Sequence, residues 1–235
     1  MRQKNAILIT GGGQRIGLYL AQHFLSHTDY PVIISYRTYR PEIDRLIEMG
    51  AQAIQVDFCE PDAIETFIDQ VTQRVESLRA LIHNASVWMD DNQPDSLAQQ
   101  LRLHVELPYQ LNYGLIDLLR ASDQPLKDII SISDARVSQG SGHQVGYLAS
   151  KAAMQSMARS FAIAFAPQVK VNDIAPALIM FNSDDSPDYK QKRLAQSLLP
   201  IEPGAQVVWQ AVEYLMQSRY STGTVLSLDG GRHLM

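Results

Sequence analysis

Tyr147 and Lys151 stand four residues apart in a stretch with apolar positions at helical spacing, so both side chains leave one face of a helix. An ammonium beside a phenol favours the phenolate and draws its pKa down from about 10, which makes the tyrosine a usable proton donor or acceptor near neutrality. Such a pair arises by chance on many helices, so its weight comes from its company. Thr10-Gly11-Gly12-Gly13-Gln14-Arg15-Ile16-Gly17 follows a short apolar run directly and opens an amphipathic stretch. Glycines there permit positive φ and let backbone N–H groups close on a pyrophosphate at a helix N-terminus. The spacing is T-G-x-x-x-R-x-G, with Arg15 where a glycine often stands; its guanidinium can reach phosphate oxygens or a bound substrate. After the second apolar run the chain reads Ser35-Tyr36-Arg37-Thr38-Tyr39-Arg40, with no carboxylate to hold an adenosine ribose. Arg37 and the Thr38 hydroxyl suit a 2′-phosphate, so NADP(H) is the cofactor expected. Asp57 either accepts from an adenine amino group or caps the helix after Pro61.

These groups need a strand–turn–helix frame to hold them. Short β-branched runs alternate with amphipathic stretches along the whole chain, the pattern of βαβ units around a parallel sheet buried on both faces. Strands are predicted over Ala6–Thr10, Val32–Tyr36, Ala53–Phe58, Ala80–Asn84, Asp128–Ser133, Lys170–Ile174 and Thr224–Leu228. The fold class expected is therefore α/β: a doubly wound, Rossmann-type parallel sheet of seven strands with helices on both faces. The clearest helix is Val145–Ala166, where Met154, Met157, Phe161 and Phe165 form one apolar stripe and Pro167 closes the element. No repeat, low-complexity tract or linker divides the chain, so one domain over residues 1–235 is expected. Residues 181–199 shift in composition and suit a flap over a site.

Of the 235 residues, 46% are hydrophobic and 19% charged, globular proportions, and a net charge of −5 offers no pull toward nucleic acid or anionic lipid. The single cysteine, Cys59, cannot form an internal disulfide, which points to a reducing compartment, the cytoplasm by default. The apolar stretch Ala6–Ile9 is too short for a signal-peptide core, and no segment approaches a membrane span. No metal site is expected: His23 and His27, four apart, lack a third ligand and fit a helix C-terminus.

Together, the glycine turn, Tyr147 with Lys151, Asn84-Ala85-Ser86, Asn172-Asp173-Ile174-Ala175-Pro176 and Leu228-Asp229-Gly230-Gly231 resemble the short-chain dehydrogenase/reductase family over essentially the full length. The resemblance implies that Tyr147 is the catalytic acid/base and that Lys151 also holds the nicotinamide ribose. It implies that Asn84 supports the central strand and that Pro176 contacts the nicotinamide. The cofactor set expected is Gly11, Gly13, Arg15, Ile16, Gly17, Arg37, Thr38, Asp57, Asn84, Ala85, Ser86, Tyr147, Lys151 and Pro176.

Three departures narrow the expectation. Thirteen residues before the tyrosine, where the family usually has a serine that polarises a carbonyl, this chain has Asp134. A carboxylate repels the oxyanion of ketone reduction and suits a substrate with amino or ring N–H donors. Arg15 is the second departure, and Ser86 with Trp88 the third. The three resemble the pteridine reductases of the family, most like the bacterial dihydromonapterin reductases, with matching stretches Leu8–Gly13, Ser35–Thr38, His83–Ser86 and Asp229–Leu234. That implies a substrate set of Arg15, Ser86, Trp88, Asp134 and Tyr147, with Trp88 stacked on a pterin and Asp134 holding its N–H groups. The reaction implied is NADPH-dependent reduction of the C6=N5 imine of a 7,8-dihydropterin to the tetrahydropterin, with weak dihydrofolate reduction beside it, by a homotetramer. A carbonyl (3-oxoacyl) reductase and a non-catalytic NADP(H)-binding sensor are the alternatives; Asp134 speaks against the first, Tyr147 and Lys151 against the second. Bland roles compete at single positions: Trp88 as a core edge, Asp134 as a helix cap or partner of Arg136. Arg232 and His233 either reach a neighbouring subunit or form a surface tail. His104, near Glu106, stands four before Pro108 where many relatives have asparagine, and its role is open.

Overall fold

The computed structural model describes residues 2–235. Strand β1 (Ala6–Ile9) is apolar at every position because both of its faces are covered. Ala6 and Leu8 pack into one core cluster, Ile7 and Ile9 into the other, as the two-residue period of a strand requires. The remaining strands are β2 (Val32–Tyr36), β3 (Gln52–Gln55), β4 (Leu78–His83), β5 (Asp128–Ile132), β6 (Lys170–Pro176) and β7 (Val225–Leu228). They form one sheet in the order β3-β2-β1-β4-β5-β6-β7, every pair parallel. This is the doubly wound Rossmann arrangement.

Helices α3 (Ala63–Arg74), α5 (Leu107–Arg120) and α6 (Val145–Phe165) cover one face through Phe67, Leu111 and Phe161. Helices α1 (Arg15–His27), α2 (Pro41–Glu48) and α8 (Gln206–Gln217) cover the other through Phe24, Leu46 and Trp209. Helix α4 (Ser96–Leu101) leads into α5, and α7 (Pro187–Leu194) stands on the excursion between β6 and α8. The chain leaves β1 toward β2 and β3 and returns to β4 on the other side. A crevice therefore opens at the C-terminal ends of β1 and β4, where such sheets bind ligands. At the opposite end, fully buried Asp128 pairs with Arg79 at 2.5 Å and Lys170 at 3.0 Å.

Most strand ends shift by one to three residues from the sequence expectation, and three local features have a visible cause. β3 stops at Gln55 because Asp57 Oδ1 accepts from the Cys59 N–H at 3.0 Å, an Asx turn that bends the chain off the sheet edge. β6 runs on to Pro176 because β7 pairs with it through Pro176↔Leu228. Residues Arg102–Glu106 form a π turn between α4 and α5, which buries His104 completely.

Candidate active site

The glycine turn is held from behind by Asn84. Its Nδ2 donates to the carbonyls of Thr10 (3.0 Å) and Gly11 (2.9 Å), while Thr10 Oγ1 accepts from the N–H groups of Asn84 and Ala85. Gly11 has φ +69°, and a Cβ there would lie 2.9 Å from Ala85 Cα. A Cβ on Gly17 would meet the Gly11 carbonyl oxygen at 2.3 Å, so this glycine lets α1 close on the turn and does not itself line the cleft. Arg15 also sits at positive φ (51°), which is the conformational reason a glycine is common there.

A continuous groove runs over this turn. Its narrow end, about 150 Å³, is lined by Gly11, Gly13, Arg37, Thr38, Asp57, Ala85 and Ser86. The wide end, about 500 Å³, adds Arg15, Ile16, Asn84, Trp88, Asp134, Tyr147, Lys151 and Pro176. The backbone cradle and the Arg37 guanidinium fit a dinucleotide bearing a 2′-phosphate, since a Cβ on Gly11 would be blocked by Ala85 and, among the described residues, no carboxylate lies within 4.0 Å of Arg37. Asp57 does not cap α3, whose N-cap is Asp62; it closes the Asx turn at Cys59 and lines the narrow end of the groove. Trp88 is 54% exposed and borders the wide end, so it does not serve as a core edge. Asp134 fills both of its expected places: Oδ1 accepts from the Arg136 N–H at 2.7 Å, capping a 3-10 turn at 135–138, and the residue lines the cleft. Arg15 spans the mouth, its guanidinium donating to Asn182 Oδ1 (2.6 Å) and the Met180 carbonyl (3.0 Å).

Electrostatics correct one expectation outright. The Tyr147 phenol lies above its ordinary pKa, raised first by burial and then by the charge of Asp134, against an opposing pull from Ser86. Lys151 does not offset this because its ammonium donates to the Ile132 carbonyl at 2.9 Å and stays 5.8 Å from the Tyr147 ring centre. Tyr147 is thus a protonated phenol at neutral pH. Lys151 itself is 2% exposed, and burial brings it down to about 8 against the opposing pull of Asp173 and Asp134. Asp173 is pushed up to about 6 by burial, against hydrogen bonds from Ser131 and Ser133. The Asp134 carboxyl is likewise raised, by burial.

His104 and Ser150 extend the site in a way that sequence reasoning missed. Ser150 Oγ donates its one proton to the Tyr147 carbonyl at 2.7 Å, so its contact with His104 Nδ1, also 2.7 Å, requires the imidazole to donate. Burial and the Lys151 charge push His104 down to about 2, so the ring is neutral and its Nε2 is an acceptor. Ser86 Oγ, 2.8 Å away, therefore donates to Nε2 and turns lone pairs toward the cleft. Ser86 and Asp134 both bring acceptors to the wide end of the groove. The segment Ala177–Met180 and Arg193 also line the wide end, and only the composition change after residue 180 hinted at them. Arg232 is 8% exposed and packs within its own chain, contrary to a surface tail.

Comparison with known proteins agrees with this geometry. The short chain dehydrogenase family model matches residues 5–186. Dihydromonapterin reductase of Escherichia coli O6:H1 is 49% identical over 236 residues, covering 99% of this chain and 98% of that one. Among solved structures, FolM alternative dihydrofolate reductase 1 of Brucella suis in complex with NADP superposes with a TM-score of 0.87 at 26% identity, covering 100% of this chain and 97% of that one. The Brucella canis protein of the same description, complexed with NADP, gives 0.87 at 26% identity, with 100% and 96% covered. The crevice between β1 and β4, the Tyr147–Lys151 pair above it and a family match over most of the length agree, and the chain belongs to the short-chain dehydrogenase/reductase family.

Proposed function

We propose that this protein reduces a 7,8-dihydropterin, dihydromonapterin in the first place, to the tetrahydropterin at the expense of NADPH. The observation that carries the reading is the pair of acceptors, Asp134 and Ser86, beside a protonated Tyr147 at the wide end of the groove. A ketone oxygen needs donors around it as it becomes an oxyanion. The amino and ring N–H groups of a pterin need acceptors, and a carboxylate supplies charge-assisted ones. The names of the E. coli and Brucella relatives, and the NADP in the latter, support the same substrate and cofactor class.

NADPH, when bound, would supply the hydride that C6 of the C6=N5 imine takes up. Arg37 and Thr38 would hold its 2′-phosphate, the glycine turn its pyrophosphate, and Lys151 and Pro176 its nicotinamide end. Asp134 and Ser86 fix the pterin edge by its N–H groups, and Trp88 covers the exposed ring face, so that orientation supplies much of the rate. Tyr147, kept protonated by burial and Asp134, donates the proton that reaches N5. Arg15 ties residues 180–182 across the mouth, and residues 181–199 close over the substrate as a flap. Free Cys59 supports a cytoplasmic setting. Exposed Tyr109, Tyr113 and Ile163 on α5 and α6 support a homotetramer built through those helices. The test is NADPH oxidation with dihydromonapterin, dihydrobiopterin, dihydrofolate and an acetoacetyl thioester. Dihydropterins should turn over with the highest kcat/KM; turnover of the thioester alone would replace this reading with a carbonyl reductase.

A further inference from the structure

Arg193 lines the wide end of the cleft, Arg232 shares Gln196 with it, and Arg136 lies near enough to act on the Arg232 charge; the hydrogen-bond partners of all three are neutral. Arg136 lies on the 3-10 turn after β5, Arg193 near the end of α7, and Arg232 on the last turn of the chain. Gln196 Oε1 accepts from Arg193 Nη1 at 3.0 Å and also from Arg232 Nη2; Gln144 Oε1 accepts from Arg136 Nη1 at 3.3 Å. Among the described residues, no carboxylate oxygen lies within 4.0 Å of any of the three. Each keeps a buried N–H without an acceptor: Arg136 Nε, Arg193 Nε and Arg232 Nη1, the last on a side chain of a residue only 8% exposed. The charges act on one another, since burial, then Arg193 and Arg136, lower the Arg232 pKa. Asp134 and Asp229 temper the field, but Asp134 Oδ1 is taken by the Arg136 N–H and Asp229 by Gly231 and His233.

At the other end of the sheet, buried Arg79 and Lys170 have Asp128 set between them. A guanidinium buried as Arg232 is ordinarily has an anion against it. Guanidinium groups bonded only to side-chain amides form a strong site for phosphate or carboxylate oxygens, through charge-assisted and forked N–H···O bonds. The position selects which molecule brings that anion. Arg193 lines the wide end with Asp134, Tyr147 and Trp88, whereas Arg37 and Thr38 stand at the far, narrow end.

We propose that Arg136, Arg193 and Arg232 form an anion subsite at the outer end of the substrate cleft, which takes the phosphate or carboxylate on a dihydropterin side chain. This rests on the dihydropterin reading above and deepens it: the subsite adds binding for dihydropterins whose side chain carries an anion.

The test measures kcat/KM at low ionic strength for dihydromonapterin, its phosphate monoester and dihydrofolate, in the wild type, Arg193→Gln and Arg136→Gln. Both substitutions fall on half-buried residues and leave the deeper Arg232 in place. Each variant should lower the kcat/KM of at least one anionic substrate relative to that of dihydromonapterin by roughly ten-fold, through KM. Whether the phosphate ester or dihydrofolate leads identifies the group the subsite takes. Calorimetric titration with inorganic phosphate should show binding that both variants lose. A ratio unmoved by either substitution overturns the subsite while leaving pterin reduction intact. If no dihydropterin is reduced, the functional reading fails, and the phosphate titration still decides the subsite, absence of binding refuting it.

Discussion

Asp134→Asn separates the charge of this side chain from its capping role. Asparagine caps a helix about as well as aspartate, so the bond to the Arg136 N–H persists and the melting temperature should hold. What disappears is a charged acceptor facing the substrate. A hydrogen bond to a charged partner contributes roughly 1.5–3 kcal/mol, so kcat/KM for dihydromonapterin should fall roughly 10- to 150-fold. A second effect follows from Lys151. Burial lowers that ammonium while the charges of Asp173 and then Asp134 raise it, so removing the Asp134 charge should move the alkaline limb of the pH profile to lower pH. The assay is steady-state NADPH oxidation across pH, with NADPH affinity measured separately by fluorescence and expected to stay the same. Asp134→Ala adds the loss of the cap, a further cost of about 0.5–2 kcal/mol in stability. A dihydropterin kcat/KM within about two-fold of wild type for Asp134→Asn would refute the reasoning.

Tyr147→Phe should keep NADPH affinity while kcat drops roughly 10²- to 10⁴-fold, as expected for loss of a proton donor; equal turnover would remove that role. Arg37→Asp should weaken NADPH roughly 10- to 150-fold and NADH little, read as dissociation constants by fluorescence titration. Lys151 loses its proton as pH rises through about 8, so activity that needs the ammonium falls above that pH. Burial lowers this group and Asp173 is the first charge to raise it, so Asp173→Asn should move the limb to lower pH. Nitrogen-15 NMR should find His104 as the neutral Nδ1–H tautomer, silent near the free-histidine pKa of about 6.5, and Ser150→Ala should erase that preference.

Much of the frame was legible in the sequence because its signals are local. A strand buried on both faces reads as an unbroken apolar run, as in Ala6–Ile9, and the glycine turn must follow it directly. The stripe Met154–Phe165 and Pro167 delimit α6 to within one residue. What escaped depends on contacts between distant segments. The ammonium of Lys151 is four residues from Tyr147 yet bonds the Ile132 carbonyl, so the expected depression of the phenol does not occur. Helical spacing told which face the two share and nothing about what lies above it. The π turn that buries His104 has no period of its own to read, and Ser150 is significant only once His104 is seen against it. Arg136, Arg193 and Arg232 come from three separate turns, and only folding assembles them.

The claim on which the rest depends is that Asp134 and Ser86 read pterin N–H groups. A crystal structure with NADP and a 7,8-dihydropterin addresses it directly. Both acceptors should stand within hydrogen-bond distance of ring or amino nitrogens, with Trp88 against the ring and Arg136, Arg193 and Arg232 toward its side chain. A pterin bound with its N–H edge to solvent and Asp134 facing away would contradict the account.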